Sequence, residues 1–156
     1  MRWRNGWRRR GWFESLLAVV ARRVERRGMN EQVIADGMDA AALRQLTAAF
    51  YRRVREDDLI GPMYPEGDWE GAETRLADFL CFRLLGEMKY IEERGHPRLR
   101  MRHVGFAIGV AERDRWLELM GAAMEECEVA EEVRVELGAF FGQVADFMRN
   151  RPEPGV

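Results

Sequence analysis

Cysteine, histidine, proline and lysine are all scarce in this 156-residue chain, and each scarcity excludes something. Cys81 and Cys127 are the two cysteines. They stand far apart and without a CxxC pattern, which rules out a disulfide scaffold or a thiolate zinc finger. With His96 and His103 as the only histidines, a multi-histidine metal site is excluded. Proline numbers five, and valine and isoleucine never cluster in alternating runs, so an all-β fold is not expected. No apolar run approaches the roughly 18 residues that cross a bilayer, so the expected location is a reducing cytoplasm. Lys89 is the one lysine among 25 basic residues, which reads as codon bias rather than chemistry. Glycine-rich phosphate loops, GxSxG and HExxH are absent, and no cysteine has a credible base beside it.

What is present is an ordinary globular mixture, 47% hydrophobic and 33% charged, with a net charge of −2. Its length favours one domain. The charge is uneven. Residues 1–28 hold nine arginines against Glu14 and Glu25, and the rest carries 16 basic and 25 acidic groups. The basic segment has the outline of a secretory leader. Its apolar run, Leu16 to Ala21, is short, lacks a cleavage pattern and runs into Arg22 and Arg23. Three readings of it stay open: a flexible basic arm, an amphipathic helix that visits acidic surfaces, or translated upstream sequence before a start at Met29. The expected organisation is this extension, a domain over 29–150, and a tail over 151–156.

From Asp39 onward the spacing predicts helices. Asp39 is placed to cap one that carries Leu43, Leu46, Phe50 and Val54 on a single stripe. GPMYPEGDW (61–69) reads as a bent connection. A helix with Ala72, Leu76, Phe79 and Leu80 on one face follows. Residues 86–97 read as irregular or weakly helical, and a short helix leads from Arg98 to His103. Glu112 to Glu126 reads as a helix with Trp116, Met120 and Met124 inward. The last helix, about 131–150, is expected to bury Val133, Leu137, Phe140, Phe141, Val144 and Phe147, with Pro152 and Pro154 ending it. The expected fold class is all-α.

Tyr51, Tyr64 and Trp116 bring polar tips into apolar stripes, and such tips need partners when buried. Taken alone, they read more readily as three unrelated core aromatics with locally satisfied tips. His103, ending a short basic helix before Phe106, changes that context. An apolar helical pocket with one histidine and hydrogen-bond donors is what haem needs.

Four stretches, FYRRVRED (50–57), MYPEGDWEGAETRLADFL (63–80), RGHPRLRMRHVGF (94–106) and ERDRWL (112–117), carry a resemblance. Over about residues 37–150 the chain resembles the truncated haemoglobins of group II, the O-type. The resemblance implies a two-over-two globin fold, two antiparallel helix pairs enclosing haem b, with His103 as the iron ligand. It implies that Tyr51, Tyr64 and Trp116 donate hydrogen bonds to bound O2, which slows its release and makes a poor oxygen store or transporter. Ala72 falls where many globins keep a distal histidine, and its small side chain leaves a gate to the haem edge. Leu76, Phe79 and Phe106 are implied to touch the haem. Arg75 and Arg102 either meet its propionates or are solvated surface arginines. His96, between Gly95 and Pro97, is set in a turn and is not expected to ligate.

The chain departs from the family twice. Asp36-Gly37-Met38 stands where a Gly-Gly pair is usual, and Val104-Gly105-Phe106 where Ala-Pro-Phe is usual. The resemblance also implies binding of O2, CO and NO, and either ligand sensing or chemistry such as nitric oxide dioxygenation or peroxide reactions. Those would need a separate reductase, since no flavin or nicotinamide domain is visible. A dedicated nucleic-acid or membrane partner is not expected. The alternative function is a haem-free helical adaptor using the basic arm on nucleic acid or anionic membrane.

Overall fold

Seven α-helices and one 3-10 turn are present in a computed structural model that describes residues 29–153. The basic segment 1–28 and Pro154 lie outside the described residues, so the readings of them do too. The helices are α1 (Glu31–Gly37), α2 (Ala40–Arg55), α3 (Trp69–Leu85), α4 (Lys89–Arg94), α5 (Leu99–Arg102), α6 (Val110–Glu126) and α7 (Glu131–Met148), with the 3-10 turn at Gly61–Met63.

Asp39 does cap α2, accepting from the Ala42 amide at 2.8 Å. Leu43, Leu46, Phe50 and Val54 form its buried stripe, each contributing about 1.5–3 kcal/mol of apolar burial. The helix gathers Arg52, Arg53 and Arg55 in its last turn, where the macrodipole favours cations. Glycine ends α3: Gly86 takes a left-handed φ of 74°, and its amide and that of Glu87 close onto Phe82 and Cys81 carbonyls.

Two antiparallel pairs carry the architecture, and α2 packs on both α3 and α6. In the first pair Arg44 of α2 meets Asp78 of α3, and Tyr51 lies further along near Glu73. In the second, Arg113 pairs with Asp146 at one end while Arg134 approaches Glu125 at the other. This is the expected two-over-two arrangement. Helix α1 closes the far side against α7 through Gly37, where a Cβ would lie only 2.4 Å from Val133 Cγ2. Gly37 of the Asp36-Gly37-Met38 stretch therefore permits this close approach.

Phe50, Phe140, Phe141, Leu80, Leu137 and Met120 are among the largest fully buried side chains. Three expectations need adjustment. Residues 89–94 form a true helix, and its Tyr90 is buried against Phe79 and Phe82. Helix α6 begins at Val110, two residues earlier than expected, because the Glu112 carboxylate caps the Gly109 amide at 2.8 Å. Phe147 is not buried. It lies 45% exposed on the last turn of α7, with the Arg100 guanidinium 5.4 Å over its ring. Cys81 is buried and Cys127 half-buried, both are free, and burial pushes both thiols up. Among the described residues no helix is long and apolar enough to cross a membrane.

Candidate functional site

A cavity of about 500 Å³ opens between the two helix pairs and the α4–α5 stretch. Every residue singled out from the sequence lines it: Tyr51, Tyr64, Ala72, Arg75, Leu76, Phe79, Arg102, His103, Phe106 and Trp116. Sequence reasoning missed Ile60, Met63, Tyr90, Leu99 and Arg113, which line it as well. Tyr90 left one signal, an apolar Tyr-Ile pair within the polar run KYIEER.

The aromatic residues form a connected array. Tyr51 meets Phe50 at 5.2 Å and Tyr64 at 5.6 Å, both edge-on. Phe50 lies 4.9 Å from Trp116, which packs edge-on against Phe141 at 5.5 Å. Tyr64 stacks on Trp69 at 5.5 Å. Burial pushes the Tyr51 hydroxyl far up from its ordinary value, and the neighbouring Tyr64 adds to this through charge and hydrogen bonding. Burial raises Tyr64 too, tempered by hydrogen bonds from Tyr51 and Trp116. Both hydroxyls therefore keep their protons at neutral pH and remain donors.

His103 ends α5, a helix with no buried residue of its own, and its ring reaches the cavity wall half-buried. Its Nδ1 lies 2.7 Å from the Leu99 carbonyl. A carbonyl oxygen only accepts, so Nδ1 carries the proton and Nε2 is left with the lone pair that binds metals. The ring packs against Phe106 at 5.8 Å. His96 is not on the wall. Its Nδ1 accepts from the Arg98 amide at 3.1 Å, and burial with Arg98 and Arg102 nearby lowers its pKa.

At the rim, Arg75 pairs with Asp68 at 2.6 Å. Arg102 donates to the Pro97 carbonyl at 2.7 Å and the Arg94 carbonyl at 3.2 Å. A second concavity, between the end of α2 and α6, is open and lined by charged groups such as Arg53, Glu56, Asp57 and Arg115. It lacks the apolar lining of the first.

The larger question is whether the first cavity suits haem. Its lining is mostly apolar, with Ile60, Leu76, Phe79 and Leu99 on the walls and the guanidiniums of Arg75, Arg102 and Arg113 among them, Arg75 paired with Asp68 and Arg113 with Asp146. No group of three or more His, Cys, Asp or Glu among the described residues could hold a metal by itself. A metal at His103 thus calls for a cofactor that brings its own ligands. One imidazole with its Nε2 lone pair, a mostly apolar slot and rim arginines fit that group.

Comparison with known proteins points the same way. A family model described as bacterial-like globin matches residues 36–150. The group 2 truncated hemoglobin YjbI of Bacillus subtilis (strain 168) is 37% identical over 111 residues, covering 71% of this chain and 83% of that protein. The X-ray structure of a thermostable hemoglobin from the actinobacterium Thermobifida fusca gives a TM-score of 0.73 at 39% identity, covering 77% of this chain and 98% of that one. The structure of a truncated oxygen-avid haemoglobin from Bacillus subtilis gives 0.69 at 34% identity, covering 74% and 97%.

Proposed function

The chain belongs to the bacterial-like globin family, within the group II truncated haemoglobins, and from that membership we propose that it binds O2, CO and NO at a haem b held by His103. Haem supplies a ferrous iron with an open position that takes diatomic gases reversibly. The remaining work falls to the chain. The observation that carries the proposal is His103 itself, with Nδ1 fixed by the Leu99 carbonyl at 2.7 Å and Nε2 left for the metal.

In this reading Tyr51, Tyr64 and Trp116 would offer hydrogen bonds to a gas held in the mostly apolar pocket. That slows O2 release, in keeping with a relative described as oxygen-avid. Ala72 leaves room for the gas to pass, while Leu76, Phe79 and Phe106 exclude water. Arg75 and Arg102 pair with the cofactor's carboxylates, Arg75 by exchanging Asp68 for them. Such a pocket suits nitric oxide dioxygenation or peroxide reactions better than transport, with a separate reductase supplying electrons.

The test is the absorption spectrum of haem-supplied protein, ferric and then dithionite-reduced under CO. The expected result is a Soret band that shifts with CO in the wild type and is lost or no longer shifts in His103→Ala. A folded helical protein that takes up no haem would overturn the proposal, as would a His103→Ala spectrum identical to the wild type.

A further inference from the structure

The segment that follows His103 is thinly held by packing. Val104 is 77% exposed, and a side chain added at Gly105 would meet nothing within 4 Å. Its own turn bonds, Val104 N–H to the Met101 carbonyl and Phe106 N–H to the His103 carbonyl, are local. Yet the segment carries the two rings that must stand still, His103 and Phe106.

Asn150, just beyond α7, supplies what packing does not. Its side-chain amide nitrogen donates to the His103 carbonyl at 3.2 Å and to the Phe106 carbonyl at 2.7 Å. Its Oδ1 accepts from the Ile108 amide at 3.0 Å. The backbone N–H groups of Asn150 and Arg151 both donate to the Ile108 carbonyl, at 2.9 and 3.1 Å. Five hydrogen bonds therefore join 103–108 to 150–151. An asparagine side chain offers two donor hydrogens and an acceptor oxygen, and here both kinds are in use. Aspartate would keep the acceptor for Ile108 but turn an unprotonated oxygen toward two carbonyls.

We propose that Asn150 is a positioning residue for gas binding: it pins both ends of the His103–Phe106 ring pair and thereby aims His103 Nε2 into the cavity. Leu99 fixes the rotation of the imidazole from the α5 side, while Asn150 fixes the backbone it hangs from. Outer partners of this kind orient metal ligands and tune them. The proposal rests on the haem reading above.

The test uses the full-length protein, with Asn150→Ala and Asn150→Asp beside the wild type. The first readout is the iron–histidine stretching band of the reduced, gas-free form by resonance Raman. The second is amide hydrogen exchange at Ile108, which needs no haem. In Asn150→Ala the band is expected to shift or broaden, and exchange at Ile108 to quicken by about tenfold. Asn150→Asp is expected to keep Ile108 protected while still displacing the band, because the acceptor for Ile108 is retained and the two donor contacts are replaced by an oxygen facing carbonyls. A merely structural role would lower the melting temperature and leave the band in place. An unchanged band in both variants overturns the proposal, as does unchanged exchange at Ile108 in Asn150→Ala. If the wild type takes up no haem, the haem reading fails by itself, and Ile108 exchange still decides whether the clasp holds the segment. If Asn150→Ala fails to fold, Asn150→Asp decides on the band.

Discussion

Helices α2, α3 and α6 bring Tyr51, Ala72 and Trp116 to the cavity on long surfaces packed by rings and aliphatic side chains, whereas the stretch from α4 to residue 109 brings Tyr90, His103 and Phe106 there on short helices and turns. The first wall has Leu43, Leu46, Phe50 and Val54 at 0% exposure behind it. On the second, α5 has no fully buried residue and packs on the core through Leu99, and hydrogen bonds onto carbonyls add to its order: Arg102 on Pro97 and Arg94, His103 on Leu99, Asn150 on His103 and Phe106. Packing is cooperative and dry, while exposed hydrogen bonds compete with water and open one at a time. Two of the three proposed donors, Tyr51 and Trp116, thus sit on the packed wall, Tyr64 on the connection beside it, and His103 on the wall held chiefly by hydrogen bonds.

The largest expected effect breaks the packed wall directly. Phe50→Ala removes the ring that touches both Tyr51 and Trp116, and it should cost about 3–5 kcal/mol in urea unfolding. A loss below about 1 kcal/mol would mean that the wall closes over the gap and is not the rigid partner. A smaller effect concerns a joint within the packed wall. Asp57, buried where α2 ends, accepts from the Leu59 and Ile60 amides and pairs with Arg115 of α6 at 2.6 Å. Burial alone would raise its pKa, but those amides and the guanidinium outweigh it and hold the carboxyl below its usual range. A group with a depressed folded value stabilises above its unfolded pKa, about 3.9, and that contribution is lost as pH falls through the folded one. An asparagine side chain at this position retains the acceptor for the amides without the charge. Asp57→Asn should therefore cost about 1–2 kcal/mol at pH 7 and flatten the loss of stability below about pH 4. Equal acid slopes in the two proteins, followed by urea titration, would show that Asp57 does not supply the acid sensitivity.

The same contrast explains what the sequence reveals. The stripe of α2 and its Asp39 cap follow from spacing and local chemistry, because both are repeated every turn or settled within three residues. Tyr51, Tyr64 and Trp116 are legible as polar tips in apolar stripes, although only the fold brings their tips together. Phe147 continues the pattern of α7 but overshoots what lies beneath it, since periodicity marks a face and not the length of its partner. Helix α4 is too short to show a period at all. Asn150 is the extreme case. Its contacts span 42 to 47 residues of chain, and nothing near it in sequence hints at the loop it holds.

Trp116 sharpens the comparison most finely, because it belongs to the packed wall and is also proposed to act on the gas. Trp116→Phe retains a ring between Phe50 and Phe141 and removes the indole N–H. If packing and donation are separable, stability should fall by less than about 1.5 kcal/mol. The O2 dissociation rate should meanwhile rise by about threefold to tenfold, the range set by losing one hydrogen bond. The two tyrosines that share the cavity with Trp116 set the size of this effect. Stopped-flow release of O2 at matched stability separates the two roles. A faster release with an unchanged melting temperature assigns Trp116 to the gas. An unchanged release rate with a lowered melting temperature makes it a packing residue only, and leaves donation to the two tyrosines.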